Sequence, residues 1–317
     1  MPFSTFDLSK LRLLPLNERV HDLRLQDILF DEPPEFDHPS FEPLCKAMIT
    51  AREKGAAVIL MYGGHVIRQG CAGLMIRLME KGWVTHFATN GAGAIHDFEL
   101  AMIGQTCESV ERYISKGQFG LWRETGSMNE AVNGAGGLGF GEAVGRYINE
   151  GKFPYAGSSV LAAGARLGVP VTVHVGIGND IIHSHPNFDG AATGRASAID
   201  FLVYTKAVEN LEHGVFLNVG SAVTGPEVYL KALSMARNVA HQEGRKIAYF
   251  TTAVFDKQPI GENIHAAPDR SDPKYFFRPW KTILARTVAD GGQSYYIQGD
   301  HRETLGNLAV RLLKMKM

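Results

Sequence analysis

The chain has 317 residues, 45% of them hydrophobic, and a formal net charge of −1. That size and composition support a substantial core, and the near-zero charge removes any general argument for nucleic acid or an anionic membrane as partner. Three cysteines, Cys45, Cys71 and Cys107, show no metal-ligand spacing and cannot all pair, which reads as reduced thiols in a cytoplasmic protein.

The first twenty residues lack the continuous apolar stretch of a signal peptide, and no run reaches the roughly 18–20 residues that a membrane helix needs. Residues 30–43, FDEPPEFDHPSFEP, are dense in proline, acids and phenylalanine and cannot hold a long helix. Residues 1–40 therefore read as an N-terminal arm, ahead of a helix that starts near Ser40, and residues 41–317 as a single domain. Such an arm either straps its own domain or reaches a neighbouring subunit. Its phenylalanines need an apolar surface in both cases.

From there apolar runs and helical patterns alternate. Strands are expected at 57–62, 83–88, 170–175, 215–219, 246–251 and 294–298. Most are rich in Val, Ile, Phe and Tyr without polar alternation, as strands buried on both faces read. Helical patterns fall at 67–80, 98–114, 158–167, 196–210, 226–241 and 302–313. This alternation predicts a doubly wound, mostly parallel α/β sheet with helices on both faces.

The strand ends carry the chemistry. Gly63-Gly64-His65 follows the first strand and Asn90-Gly91-Ala92-Gly93 the second. Glycine lets the backbone come close to a phosphate or ribose, and the free N–H groups of a helix N-terminus attract anions. A G-x-G-x-x-G run at 134–139 follows no strand, so it reads as a glycine loop entering a helix at 142–148.

Acids collect on the same rim: Asp97, Asp180, Glu227, Asp256 and Asp300. Aspartate favours turns and helix caps. Several carboxylates beside a glycine rim also suit a ligand pair, one anionic and one cationic. His183 and His185 lack a second ligand pair of recognisable spacing, so no metal is expected there. The segment YFFRPWKTI (275–283) sets Lys281 beside Phe276, Phe277 and Trp280. An amine desolvated by aromatic rings can attack an imine carbon, make a cation–π contact, or simply begin a surface helix.

A series of motifs in one order resembles the deoxyhypusine synthase family, in particular its shorter, divergent members. They are MYGGHVI (61–67), TNGAGAIHD (89–97), SSVLAAGARLGVPVTVHVGIGNDIIHSH (158–185), GVFLNVGSAV (214–223) and YFTTA (249–253), followed by the pairs Trp280-Lys281 and Gly299-Asp300. The resemblance implies a Rossmann-like NAD-binding fold and a homotetramer. It implies NAD-dependent aminobutyl transfer from spermidine or a related polyamine to an amine acceptor. That acceptor is a protein lysine in the true synthase and putrescine in homospermidine-synthase-like relatives.

By the same resemblance NAD would meet Gly63, Gly64, His65, Asn90, Gly91, Gly93, Asp97, Thr252, Ala253 and Asp300. Asp180 would bind the substrate amine, with Glu227 as a second carboxylate, and Lys281 would form the imine beside Trp280. Gly225-Pro226-Glu227 stands where the family has a histidine, and Trp280 and Lys281 are adjacent where the family spaces them by one residue. A plain NAD-dependent amine dehydrogenase and a catalytically silent nucleotide-binding oligomer are the alternative readings.

Overall fold

Six strands form one parallel sheet: β1 (Val58–Tyr62), β2 (His86–Asn90), β3 (Val171–His174), β4 (Val215–Val219), β5 (Thr251–Asp256) and β6 (Gln293–Gln298). Their spatial order is β3-β2-β1-β4-β5-β6. The computed structural model describes residues 3–315. All five residues of β1 and of β4 are buried, because helices cover both faces. Leu60 and Tyr62 of β1 join one hydrophobic cluster and Ile59 and Met61 the other, as the two-residue period of a strand requires.

The principal helices are α1 (Phe41–Glu53), α2 (Gly64–Arg68), α3 (Ala72–Glu80), α4 (Gly91–Ile103), α5 (Phe140–Glu150), α6 (Val160–Leu167), α7 (Gly190–Glu209), α8 (Thr224–Gln242) and α9 (His301–Lys314). The first cluster is built on α1 to α6 and α9, and the second on α7, α8 and a π-helical segment, Pro279–Arg286. No helix among the described residues is long and apolar enough to cross a membrane.

Several boundaries differ from the sequence expectation, each for a local reason. The fifth strand lies at Thr251–Asp256 instead of 246–251. The amides of Ala248 and Tyr249 donate to the Glu212 carboxylate (2.6 and 3.0 Å), so they are taken before any ladder can form. The second strand begins at His86, three residues late, because Thr85 clasps Val58 through its hydroxyl (3.0 Å) ahead of the ladder. The helix expected at 67–80 breaks at Gly70, whose φ of +78° no other residue adopts comfortably. The helix expected at 98–114 ends at Ile103, where Gly104 turns left-handed at φ +67°.

The outer edge of β3 is closed by side chains of α7. The Val173 amide donates to Asp200 (2.7 Å), the Ser197 hydroxyl donates to the Val173 carbonyl (3.0 Å), and the Val175 amide donates to Ser197 (3.3 Å). Asp200 also accepts from the Gly141 amide at the start of α5 (2.9 Å). The glycine run at 134–139 therefore leads into packing at the N-terminal end of β3, as its lack of a preceding strand suggested.

The N-terminal segment lies across its own body. Arg302 of α9 bonds the Ile28 carbonyl (3.1 Å) and stacks over the Phe30 ring, and Asn307 bonds the Pro34 carbonyl (2.7 Å). Its charged anchor is Arg19, 4% exposed, which holds Glu99 of α4 through two bonds of 2.8 Å. The hydroxyls of Thr106 and Thr125 complete the Glu99 carboxylate (2.7 and 2.6 Å).

A buried charge stripped of its partner typically costs about 3–5 kcal/mol, whereas an apolar replacement of the whole pair is far milder. Glu99→Leu should therefore lower unfolding free energy by about 4 kcal/mol, and adding Arg19→Met should restore much of it. Urea denaturation of the two variants measures both.

Candidate functional site

The strand order reverses between β1 and β4, so the chain leaves one towards β2 and β3 and the other towards β5 and β6. Crevices at such points, beyond the C-terminal strand ends, are where doubly wound sheets bind ligands. β1 runs into Gly63-Gly64 and β4 into Gly220-Ser221, and the two strands end in register, Tyr62 opposite Val219. A Cβ on Gly63 would overlap the Gly220 carbonyl, and one on Gly225 would overlap Asn218 Oδ1. Asn218 Oδ1 and His301 Nδ1 are buried there with no hydrogen-bond partner among the described residues.

One wall of this crevice is polar. Asp300 caps α9 through the Arg302 amide (3.0 Å) and receives Gln69 and Lys257, each at 2.6 Å. Burial raises its proton affinity, but Lys257 and the two amide donors outweigh burial and hold the carboxyl below its usual range. Burial, then the neighbouring His65, pulls His301 down to about 4, so its imidazole is neutral at physiological pH. Asp256, at the end of β5, is pushed up by burial.

The β2 side is arranged differently. Asn90 caps α4 by accepting from the Gly93 amide (2.9 Å). Asp180 lies against the first turn of α4, where a Cβ on Gly91 would overlap its carboxylate. Burial alone raises Asp180 to about 6. An anionic ligand at the Asn90–Gly93 turn must therefore contend with this carboxylate. A cavity of about 280 Å³ opens beside Asp180 along α4.

The remaining residues named from sequence are spread more widely. Asp97 is 1% exposed and faces inward, where its carboxylate accepts from Ser159 Oγ (2.5 Å) and the amides of Val160 and Leu161 (2.8 and 3.2 Å). It fixes the start of α6, so the NAD contact expected of Asp97 does not hold. Thr252 and Ala253 sit inside β5, buried mid-sheet, because the strand lies five residues later than expected. Glu227 is paired with Lys231, one turn on along α8, and with Arg278, which is distant in sequence.

Lys281 is 3% exposed on the π-helical segment, with its Nζ 3.5 Å from the centroid of the Tyr275 ring. Phe276 is farther, at 5.9 Å, so Tyr275 supplies the aromatic cover that the sequence assigned to its neighbours. The indole N–H of neighbouring Trp280 is buried without a partner among the described residues. His183 and His185 brace loops: His183 accepts from the Gly178 amide (3.1 Å), and His185 Nε2 bonds the Gly120 carbonyl (2.8 Å). No metal-holding group of three or more His, Cys, Asp or Glu occurs among the described residues.

Gln69, Asn218, Lys257 and His301 were missed by the sequence reading. Asn218, Lys257 and His301 stand within two residues of a rim glycine or acid and Gln69 one helical turn after His65, but only the sheet brings them together.

No family model matches the chain, and no curated protein matches it. Among solved structures, unliganded AgrE is similar at 15% identity over 86% of this chain, with a TM-score of 0.52. AgrE with ornithine and NAD+ gives 0.50 at the same identity and coverage. This chain spans 32% of the length of AgrE. A protein of Entamoeba histolytica provisionally named a deoxyhypusine synthase covers 86% of each chain at 9% identity, with a TM-score of 0.40 that carries no argument. These likenesses show the fold alone.

Two outcomes follow from the site. Asp97→Ala should destabilise the protein by about 3 kcal/mol in urea, since it leaves two amides and a hydroxyl without their charged acceptor. Asp180 should bind a cation more tightly as pH rises through about 6, because the carboxylate loses its proton there. Without a ligand the sign reverses: a pKa raised from 3.8 to about 6 supplies stability at low pH that is lost as pH rises through about 6. Calorimetric titration of a diamine across that range, with Asp180→Asn as the flat control, checks the binding limb.

Proposed function

We propose that this protein binds NAD across the crevice between β1 and β4 and uses it to oxidise a primary amine held by Asp180. The finer reading is transfer of the resulting aminobutyl group through Lys281. The observation that carries the proposal is the strand order β3-β2-β1-β4-β5-β6, which puts a switch point between two glycine turns.

The residues of the crevice fit a dinucleotide. Asn218 Oδ1 and His301 Nδ1 are buried polar atoms in want of partners, and Asp300 offers a partly open carboxylate suited to a ribose hydroxyl. NAD, when bound, supplies a hydride acceptor. Asp180, ionised above a pH of about 6, holds and orients the substrate ammonium.

Lys281 has aromatic cover and no carboxylate in ion-pair contact among the described residues. Imine formation would use the Lys281 amine as nucleophile. Spermidine as donor, an amine acceptor and assembly as a homotetramer come from the family resemblance and belong to the same proposal.

One observation favours the plainer reading of oxidation without transfer. Glu227, engaged by Lys231 and Arg278, is not free to hold a second substrate ammonium.

Incubation with NAD and spermidine, followed by mass analysis, tests the proposal and separates the two readings. Transfer predicts a new coupled amine, a borohydride-trapped adduct on Lys281, and loss of product in Lys281→Arg with NAD binding intact. Plain oxidation predicts accumulating NADH, a free aldehyde and full activity in Lys281→Arg. A folded protein that gives no heat with NAD in calorimetry overturns both.

A further inference from the structure

On α4 the residues Ala92, Ile95, His96 and Glu99 fall at positions i, i+3, i+4 and i+7, one face of the helix, and line the cavity of about 280 Å³. Three of the six carboxylates and guanidiniums that line it are already satisfied. Arg19 and Glu99 close on each other, and the two oxygens of Glu108 accept from the Gly120 amide (2.9 Å) and the Trp122 indole (2.7 Å). Asp22 stands exposed at the lining. Arg68 and Asp180 form no ion pair among the described residues.

These two groups stand at different ends. Asp180 abuts Gly91, at the first turn of α4. Arg68 lies beside His96 and Cys107, both of which feel its positive charge. Five residues of α-helix separate Gly91 from His96, about 7.5 Å along the axis. Ile95, Phe119 and Ile181 supply apolar wall.

We propose that this cavity binds a linear ω-amino carboxylate, its ammonium on Asp180 and its carboxylate on Arg68. An α-amino acid carries both charges on one carbon and cannot reach both ends. A diamine would press its second ammonium against the guanidinium. Guanidinium and carboxylate match as a forked pair, and the aliphatic stem lies along the apolar wall. The proposal deepens the reading of primary-amine oxidation by naming the substrate class, in place of spermidine as donor, and it rests on Asp180 as the amine-holding group.

The test is calorimetry on the full chain near neutral pH, without NAD, with 4-aminobutyrate, 1,4-diaminobutane and butanoate as matched probes. The amino acid should bind at least about tenfold more tightly than either of the others. Arg68→Gln should remove that preference, Arg68→Lys should retain part of it, and Asp180→Asn should weaken both amines. Arg68 is exposed, so its variants should keep the wild-type melting temperature, which circular dichroism records. Equal or tighter binding of the diamine, unchanged 4-aminobutyrate affinity in Arg68→Gln, or no heat from any probe would each overturn the proposal. Failure of the NAD reading would show separately, as absence of heat from NAD.

Discussion

The pairing of β1 with β4 is the constraint on which the rest depends. Five consecutive residues, Val58 to Tyr62, lie in parallel register with Val215 to Val219, and all ten are buried. Parallel neighbours this flush must release their chains at the same height. Because the next strands lie on opposite sides, the two loops diverge and leave a crevice between them. The glycines at 63 and 220 follow from that closeness: two backbones that diverge from adjacent strand ends have no room for side chains between them.

The rim acids show how burial and pairing sort one residue type into separate tasks. Asp97 is used up by the start of α6 and Glu227 by two cations, while Asp300 caps α9 and meets Lys257 with its carboxylate still partly open. Asp180 alone of these four is pushed upward by burial while facing a cavity. A carboxylate that sits near its titration point beside open space is the kind that answers to a ligand.

Much of this architecture was legible in the sequence. The apolar runs at 57–62 and 215–219, the second interrupted only by Asn218, read as strands covered on both sides, and the glycines after them as rim turns. What was not legible turns on contacts distant in sequence. Glu212 diverts the amides of Ala248 and Tyr249, and that single side chain moves the fifth strand and takes Thr252 and Ala253 off the rim. Arg278 reaches Glu227 from fifty-one residues away, and only Lys231, one helical turn on in α8, was a local sign that this acid is paired. Asp97 follows a glycine turn as a cofactor ligand would, but its position on α4 turns it towards α6 instead of outward.

The clasp of α7 on β3 has a consequence for how the sheet can grow. Asp200 and Ser197 offer the edge an acceptor and a donor in alternation, much as the backbone of a seventh strand would. A helix thus impersonates the missing neighbour through two short side chains. Strand-by-strand extension is closed on that side, and a peptide seeking to join the sheet there would first have to displace a carboxylate that already holds two amides.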